Sequence, residues 1–471
     1  MNTTATDADD ALYAQLRAAL GSQGVLNAAQ AAERAAGFLR RHSPVRCRLL
    51  ARPASTEEVA TVLRLCHAAR CPVVPHGGRT GLVHGGDSTA QQVVLSLERM
   101  NAIEAIDTDQ RVAVAQAGVS MQALQEAAQA QGLQFALDLG ARGSATLGGN
   151  AATNAGGNRV IRYGMMRQQV LGLQAVLADG TVVSSLNRML KNNAGYDLKH
   201  LFIGSEGTLG VITRLVLRLT ELPVSQNVAF VAVPSFGALT ALLKHMDKSL
   251  GGGLSAFEAM WREFYELVST PPAASAPPLA HGHPFYALVE SQGGDEAADR
   301  QRFVDTLEHA MEVGLVLDAA IANSRRECAA LWGLRDDVMQ LSRDGAPFTF
   351  DVSLPIATMQ AYTETIRSAL AQRWPQHRCW IFGHLGDGNL HVVVRTAQPG
   401  QDNAEADREA VERIVYTPLQ AVGGSVSAEH GIGLEKKPWL PLSRSPEELA
   451  LMRALKHTLD PLNLLNPGKI F

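Results

Sequence analysis

The spacing of apolar positions changes twice along the chain. Leu12, Leu16 and Leu20 recur every four residues, which predicts a helical stretch from residue 11 to about 42. From Cys47 to about Glu221, short β-like runs alternate with Gly-rich loops. Within this stretch Glu57 to Ala69 and Ser120 to Gln131 read as helices, and Val73-Val74-Pro75 and Val93-Val94-Leu95 as strands. Leu171 to Val183 reads as two strands joined at Asp179-Gly180, a hairpin dipeptide. Past Leu222-Pro223, strands such as Ala229 to Val233 and Phe285 to Glu290 alternate with amphipathic helices, Phe236 to Lys248 and Ala297 to Val313 among them. That pattern predicts a separate α+β domain. Ser269 to Pro278, rich in Pro, Ala and Ser, reads as a surface loop, and no internal repeat is present.

Composition narrows the class. A chain of 471 residues exceeds the size at which one core keeps growing, so two or three domains are expected. With 46% hydrophobic and 19% charged residues it is globular, and a net charge of -4 gives no electrostatic reason to bind nucleic acid or an anionic membrane. Small molecules and proteins are the expected partners. The five cysteines, Cys47, Cys66, Cys71, Cys328 and Cys379, show no CxxC spacing, which fits buried thiols in a reducing compartment. Met1 to Asp10 lacks the cationic-then-apolar order of a secretory signal, and no run approaches the roughly 20 apolar residues that span a bilayer. A soluble, cytoplasmic protein is the expectation.

The chemistry concentrates in two places. His384 and His391 bracket a turn, Leu385-Gly386-Asp387-Gly388-Asn389-Leu390, between Ile381-Phe382 and the β-branched Val392-Val393-Val394. Such turn chemistry predicts a tight reversal that sets the two imidazoles side by side. Glu429-His430-Gly431-Ile432-Gly433 follows about forty residues on. Two imidazoles and one carboxylate make a three-ligand set with open positions, suited to Zn or another borderline divalent ion, and leave His430 as a spare base. Each part taken alone also reads as a satisfied core histidine or a polar turn.

The second place is a pair of Gly-rich loops: Pro75 to Leu82 extended by Gly85-Gly86, and Leu139 to Tyr163. Glycines in such number allow successive N–H groups to converge on an anion such as a diphosphate, although single loops of this kind are often only tight turns. Neither GxGxxG nor GxxxxGK[ST] occurs, which argues against a Rossmann dehydrogenase and a P-loop NTPase.

These loops, together with Gly143-Ser144-Ala145-Thr146-Leu147-Gly148-Gly149-Asn150, Thr153-Asn154-Ala155-Gly156-Gly157 and Gly204-Ser205-Glu206-Gly207-Thr208-Leu209-Gly210, resemble the FAD-binding half of the vanillyl-alcohol-oxidase-type flavoproteins. Within these the chain resembles the D-2-hydroxyglutarate and D-lactate dehydrogenases, from about residue 45 to Phe471. The resemblance implies an α+β fold: an N-terminal helical segment (1–45), a two-subdomain FAD-binding domain (46–222), an α+β substrate or cap domain (223–420), and a C-terminal segment (421–471) returning to the flavin side.

It also implies roles. FAD, held without a covalent bond, falls to Pro75, His76, Gly77, Gly78, Arg79, Thr80, Gly81 and Leu82 in the first loop. In the second it falls to Gly140, Gly143, Ser144, Thr146, Gly148, Gly149, Asn150, Thr153, Asn154, Gly156, Gly157, Tyr163 and Gly164. Glu206, Gly207, Gly210, Val211, Ile212 and Asn466 complete the set. His76 reads as a hydrogen-bonded loop histidine rather than a flavin attachment point. The metal ligands fall on His384, His391 and Glu429, with zinc the expected ion, and the base on His430. Substrate contacts fall on Arg335, Thr349 and His430. Arg335 lies on a helical stripe with Leu331 and Val338 and needs an anion, either a protein acid or a substrate carboxylate.

The implied reaction is oxidation of a D-2-hydroxy acid, D-2-hydroxyglutarate first, to the 2-oxo acid, with hydride passing to the flavin and electrons leaving to an electron-transferring flavoprotein or quinone. A homodimer is compatible with this. Two departures bear on the substrate: hydroxyglutarate dehydrogenases commonly carry Lys where this chain has Thr349, and Asn where it has Val393. D-lactate or D-malate, and a subunit of a glycolate-oxidase-like complex, are the alternatives.

Overall fold

A computed structural model describes the backbone of residues 3–40 and 42–471. The chain divides into two compact units, the first made of residues up to 157, 164–222 and 429–471, the second of residues 158–163 and 223–428.

In the first unit Leu12, Leu16 and Leu20 are buried on one face of the helix Thr3–Leu20, as their spacing predicts. The predicted continuation to residue 42 does not form. The helix stops at Gly21, which takes a φ of +75°, and Val25–Asn27 instead pairs antiparallel with Leu49–Ala51. A β-branched residue offered a strand partner leaves the helix; tertiary pairing outweighs the weak local preference. Asn27 then caps the short helix Ala28–Ala32 through a capping box with Gln30.

Leu49–Ala51, Val93–Ser96 and Val73–His76 form the parallel part of a four-stranded sheet, buried enough to read as continuous apolar runs. Residues near Leu465 run parallel beside Val73 and extend its edge, with Val73 N donating to Leu464 O and Asn466 N to Val73 O, both at 2.8 Å. A second, five-stranded antiparallel sheet runs in the order Ile103–Asp107, Val112–Gln116, Val211–Arg218, Val170–Val176, Val182–Ser185. Its last pair is the predicted hairpin, with Val176 opposite Val182 across Asp179-Gly180. The helices Thr56–Ala68 and Met121–Gln129 start where Ser55 and Ser120 accept a hydrogen bond from the third helical N–H. All five cysteines are free and buried.

The second unit is built on a seven-stranded antiparallel sheet. Its order is Asp318–Ile321, Ser225–Val233, Phe285–Gly293, Leu254–Trp261, Arg378–His384, Asn389–Arg395, Phe348–Ser353. One face packs Phe230, Met260, Tyr286, Phe382 and Val393 against Phe264 of the helix Arg262–Ser269 and Trp332 of the helix Arg325–Asp336. That second helix ends at Asp336, so Val338 lies outside it and is exposed; Leu331, Trp332 and Leu334 supply the buried stripe beside Arg335 instead. Residues 158–163, flanked on both sides by the first unit, belong here. Arg159 grips the buried Glu290 at 2.7 and 3.0 Å, and Tyr163 Oη donates to Gln292 Oε1 at 2.8 Å. Ser255, Gln226 and Trp332 complete the Glu290 carboxylate's partners. Among the described residues, no helix is long and apolar enough to cross a membrane.

Candidate active site

The first unit holds a cleft of about 1160 Å³, counting space open to solvent. Its walls are Pro75 to Gly81 with Gly85 and Gly86, the segment Thr146, Gly148 to Asn150 and Thr153, then Glu206, Gly207, Gly210 to Ile212, His430 and Asn466. The loops close on each other only because they carry glycine: a Cβ on Gly78 would lie 2.0 Å from Ser144 O, and one on Gly148 2.5 Å from Ala117 Cβ.

The polar groups of this cleft are not all paired within the protein. Among the described residues, the backbone N–H groups of Gly77, Gly78, Arg79, Thr80 and Gly81 donate to nothing. Asn150 Nδ2 and Asn466 Oδ1 are buried without partners, although their residues are 5% and 3% exposed. Buried polar groups left open in this way call for a ligand, and a run of N–H donors calls for an anionic one. A dinucleotide fits: the diphosphate suits the N–H run, and the two amides offer one donor and one acceptor.

Asn466 is fixed by its other atom, Nδ2, which donates to Glu206 O at 2.8 Å and Gly85 O at 3.1 Å. His76 is buried with Nε2 2.8 Å from Gly86 O, and burial holds its pKa down to about 4, so the ring is neutral. This is the hydrogen-bonded loop histidine expected from the sequence.

Leu82, Gly140, Gly143, Ser144, Asn154, Gly156, Gly157, Tyr163 and Gly164 do not line the cleft. Several serve behind it. Ser144 O backs Gly78, Asn154 Oδ1 accepts from Arg167 N at 2.9 Å, Gly157 N donates to Glu429 Oε2 at 2.9 Å, and Tyr163 belongs to the second unit. Conversely, Ala36 to Arg40 form part of the wall, which no local pattern in the sequence marks. Phe38 N donates to Arg79 O at 3.0 Å, and Arg40 pairs with Asp87 at 2.7 Å, which ties this strap down with Phe38 and Leu39 half exposed.

In the second unit the predicted hairpin forms, and the rings of His384 and His391 lie 5.4 Å apart at 80°. A residue the sequence reading missed organises them. Glu258, fully buried, meets His384 Nδ1 through Oε1 and accepts from Arg335 Nε through Oε2, both at 2.6 Å. Burial alone would raise the Glu258 pKa, but His384 and Arg335 reverse this and bring it to about 2. Arg335 thus has a protein acid as its partner. Its Nη2 faces His384 Nε2 at 3.3 Å, its guanidinium stacks on Phe382 at 5.0 Å, and Nη1 has no partner among the described residues. His391 Nδ1 lies 3.8 Å from the buried Asp351, which is held by Asn389 Nδ2 at 2.8 Å and Ala428 N at 3.1 Å. Thr349 stands opposite Val393 in the strand pairing, exposed where Val393 is buried. Glu429 and His430 belong to the first unit, His384, His391 and Arg335 to the second.

A cleft that presents open N–H donors and amides in place of a GxGxxG turn fits a diphosphate-bearing cofactor held outside a Rossmann frame, and comparison with known proteins places the chain in the class of FAD-linked oxidoreductases. Residues 47–185 match the FAD binding domain model and residues 222–470 the C-terminal domain of FAD linked oxidases. The chain is 42% identical to the D-2-hydroxyglutarate dehydrogenase of Xanthomonas citri pv. viticola over 90% of its length and 89% of that protein's. It is likewise 42% identical to the mitochondrial D-2-hydroxyglutarate dehydrogenase of Bos taurus, over 90% and 76%. A putative mitochondrial D-lactate dehydrogenase of Schizosaccharomyces pombe is 37% identical over 89% and 81%. Among solved structures, 4-ethylphenol oxidase from Gulosibacter chungangensis aligns with a TM-score of 0.75 at 18% identity, covering 100% of this chain and 98% of that one. p-Cresol methylhydroxylase aligns at 0.76 and 15%, covering 98% and 97%. The chain belongs to the FAD-linked oxidases, in the D-2-hydroxyglutarate and D-lactate dehydrogenase family, and it has the fold of the vanillyl-alcohol-oxidase-type flavoproteins. It is an FAD-dependent oxidoreductase.

Proposed function

We propose that the protein oxidises a D-2-hydroxy acid to the 2-oxo acid, with D-2-hydroxyglutarate as the first candidate and D-lactate or D-malate as alternatives. The observation that carries this reading is His430 on the wall of the flavin cleft. When bound, FAD supplies the acceptor for the hydride lost from C2, and a divalent cation, zinc by the nature of the donors, supplies the charge that acidifies the C2 hydroxyl. His384, His391 and Glu429 are the proposed ligands.

In support, His384 has its outer nitrogen against a buried carboxylate, an arrangement that fixes a ligating imidazole and raises its basicity. Its Nε2 faces Arg335, so ligation requires that contact to open. His430 takes the hydroxyl proton on its imidazole nitrogen, and Arg335 offers Nη1 to the substrate carboxylate while Glu258 holds its Nε. Thr349, with a hydroxyl and no charge, gives a distal carboxylate only a weak partner, which keeps D-lactate and D-malate as alternatives. Electrons then pass to an external flavoprotein or quinone, and the cytoplasm is the proposed compartment.

The test is anaerobic bleaching of the flavin by D- and L-2-hydroxyglutarate, lactate and malate, with and without chelator. Bleaching by one D-acid only, lost with chelator and in H430N, is the expected result. A flavin that no short 2-hydroxy acid reduces would refute the reading.

A further inference from the structure

The loop that carries His430 is held at two points within the first unit, on one side of His430 through a side chain and on the other through the backbone. Upstream, Glu429 Oε2 accepts from Gly157 N at 2.9 Å. Downstream, Glu206 accepts from Ile432 N through Oε1 at 2.7 Å and from Gly433 N through Oε2 at 2.8 Å. Glu206 lies 226 residues before Ile432.

The local backbone is shaped for this grip. Gly431 takes a φ of +88°, and a Cβ there would lie 2.8 Å from Glu206 Oε1. Gly433, at +52°, leaves no room for a Cβ against Val83 O. Glu206 itself sits at +52°, a left-handed conformation that is unfavourable for a non-glycine residue and persists only where its surroundings hold it. Asn466 Nδ2 does so, by binding the Glu206 carbonyl at 2.8 Å.

We infer that Glu206 is the positioning residue of the base loop: its carboxylate, through the N–H groups of Ile432 and Gly433, sets where His430 stands in the flavin cleft. This rests on the reading of His430 as the base. A carboxylate is required because two N–H donors converge on the side chain and each needs an acceptor. An amide offers one acceptor and turns an N–H against the other donor. A buried N–H left unpaired releases the loop.

The experiment compares E206Q and E206D with the wild type and H430N as FAD-saturated holoenzymes. Three readouts are taken: flavin absorbance, kcat and KM for the D-acid that bleaches the wild type, and trypsin cleavage after the buried Lys436, whose N–H bonds Ile432 O at 3.0 Å. For E206Q the expected result is a 10- to 100-fold fall in kcat with KM within threefold, and a new cut at Lys436. E206D, which keeps two acceptors and tolerates the left-handed backbone, recovers part of both. If E206Q loses its flavin, E206D is read against the wild type on the same measures. Wild-type kcat and an intact Lys436 in E206Q, beside an inactive H430N, would overturn the positioning role and leave the base reading standing. A fully active H430N would instead remove the base reading, and with it the positioning of a base, even if trypsin showed the loop released.

Discussion

The cleft of the first unit and the Glu258–Glu290 frame of the second treat polar groups in opposite ways. In the first, the cleft is walled by glycines and small polar residues, five consecutive N–H groups have no acceptor among the described residues, and two buried amides each keep an open atom. In the second, Glu258 and Glu290 are completely buried and both oxygens of each are engaged, Glu258 by Arg335 and His384, Glu290 by Arg159, Ser255, Gln226 and Trp332. An inventory left open is a binding site waiting for its ligand. A closed one is a rigid frame that sets the angle of the side chains it holds.

The sharpest way to break this contrast is Gly78→Ala. Its Cβ would collide with a backbone oxygen 2.0 Å away, so the two loops cannot close. FAD affinity should fall on the order of 100-fold or more, measured by flavin fluorescence, with the second unit's fold unaffected. Next is Glu258→Ala, which leaves the Arg335 charge buried and unpaired. A loss of about 3–5 kcal/mol in urea denaturation is expected, and Glu258→Gln, which keeps the volume but leaves the charge uncompensated, should recover only part of it.

His76 gives a pH test. Its folded pKa of about 4 lies below the unfolded 6.5, so between these values the unfolded chain binds more protons. Stability is therefore full above pH 6.5 and falls as the pH drops towards 4, by at most about 3 kcal/mol. H76N should flatten that slope. The smallest effect is expected at the strap: Arg40 is half exposed, so R40A should weaken FAD binding only a few-fold, by about 0–1 kcal/mol, and less at high salt.

What could be read from the sequence was what neighbours in sequence decide. The hairpin between Ile381 and Val394 followed from its turn residues, and the helices at Thr56 and Met121 from local residue pattern. The Gly-rich loops announced an anion site because glycine content is itself the mechanism. The helix predicted from 11 to 42 failed because Val25–Asn27 found a strand partner at Leu49–Ala51, beyond any local window. The strap at Ala36–Arg40 was invisible for the same reason: its role rests on Arg79 and Asp87, about forty residues away. Arg335 plainly needed an anion, and which anion was decided by Glu258, 77 residues earlier, on a strand whose pattern reads as ordinary core.

By itself the sequence determined turn types, helix starts, the glycine loops and the residue types able to carry redox chemistry, since these depend on backbone conformations and side-chain chemistry fixed within a few residues. Only the tertiary structure decided which buried carboxylate faces which cation, which N–H groups stay free, and that Glu206 grips Ile432 and Gly433. The reason is physical: a buried polar group must find a partner, and the fold, not the order of residues, determines which groups lie within 3 Å.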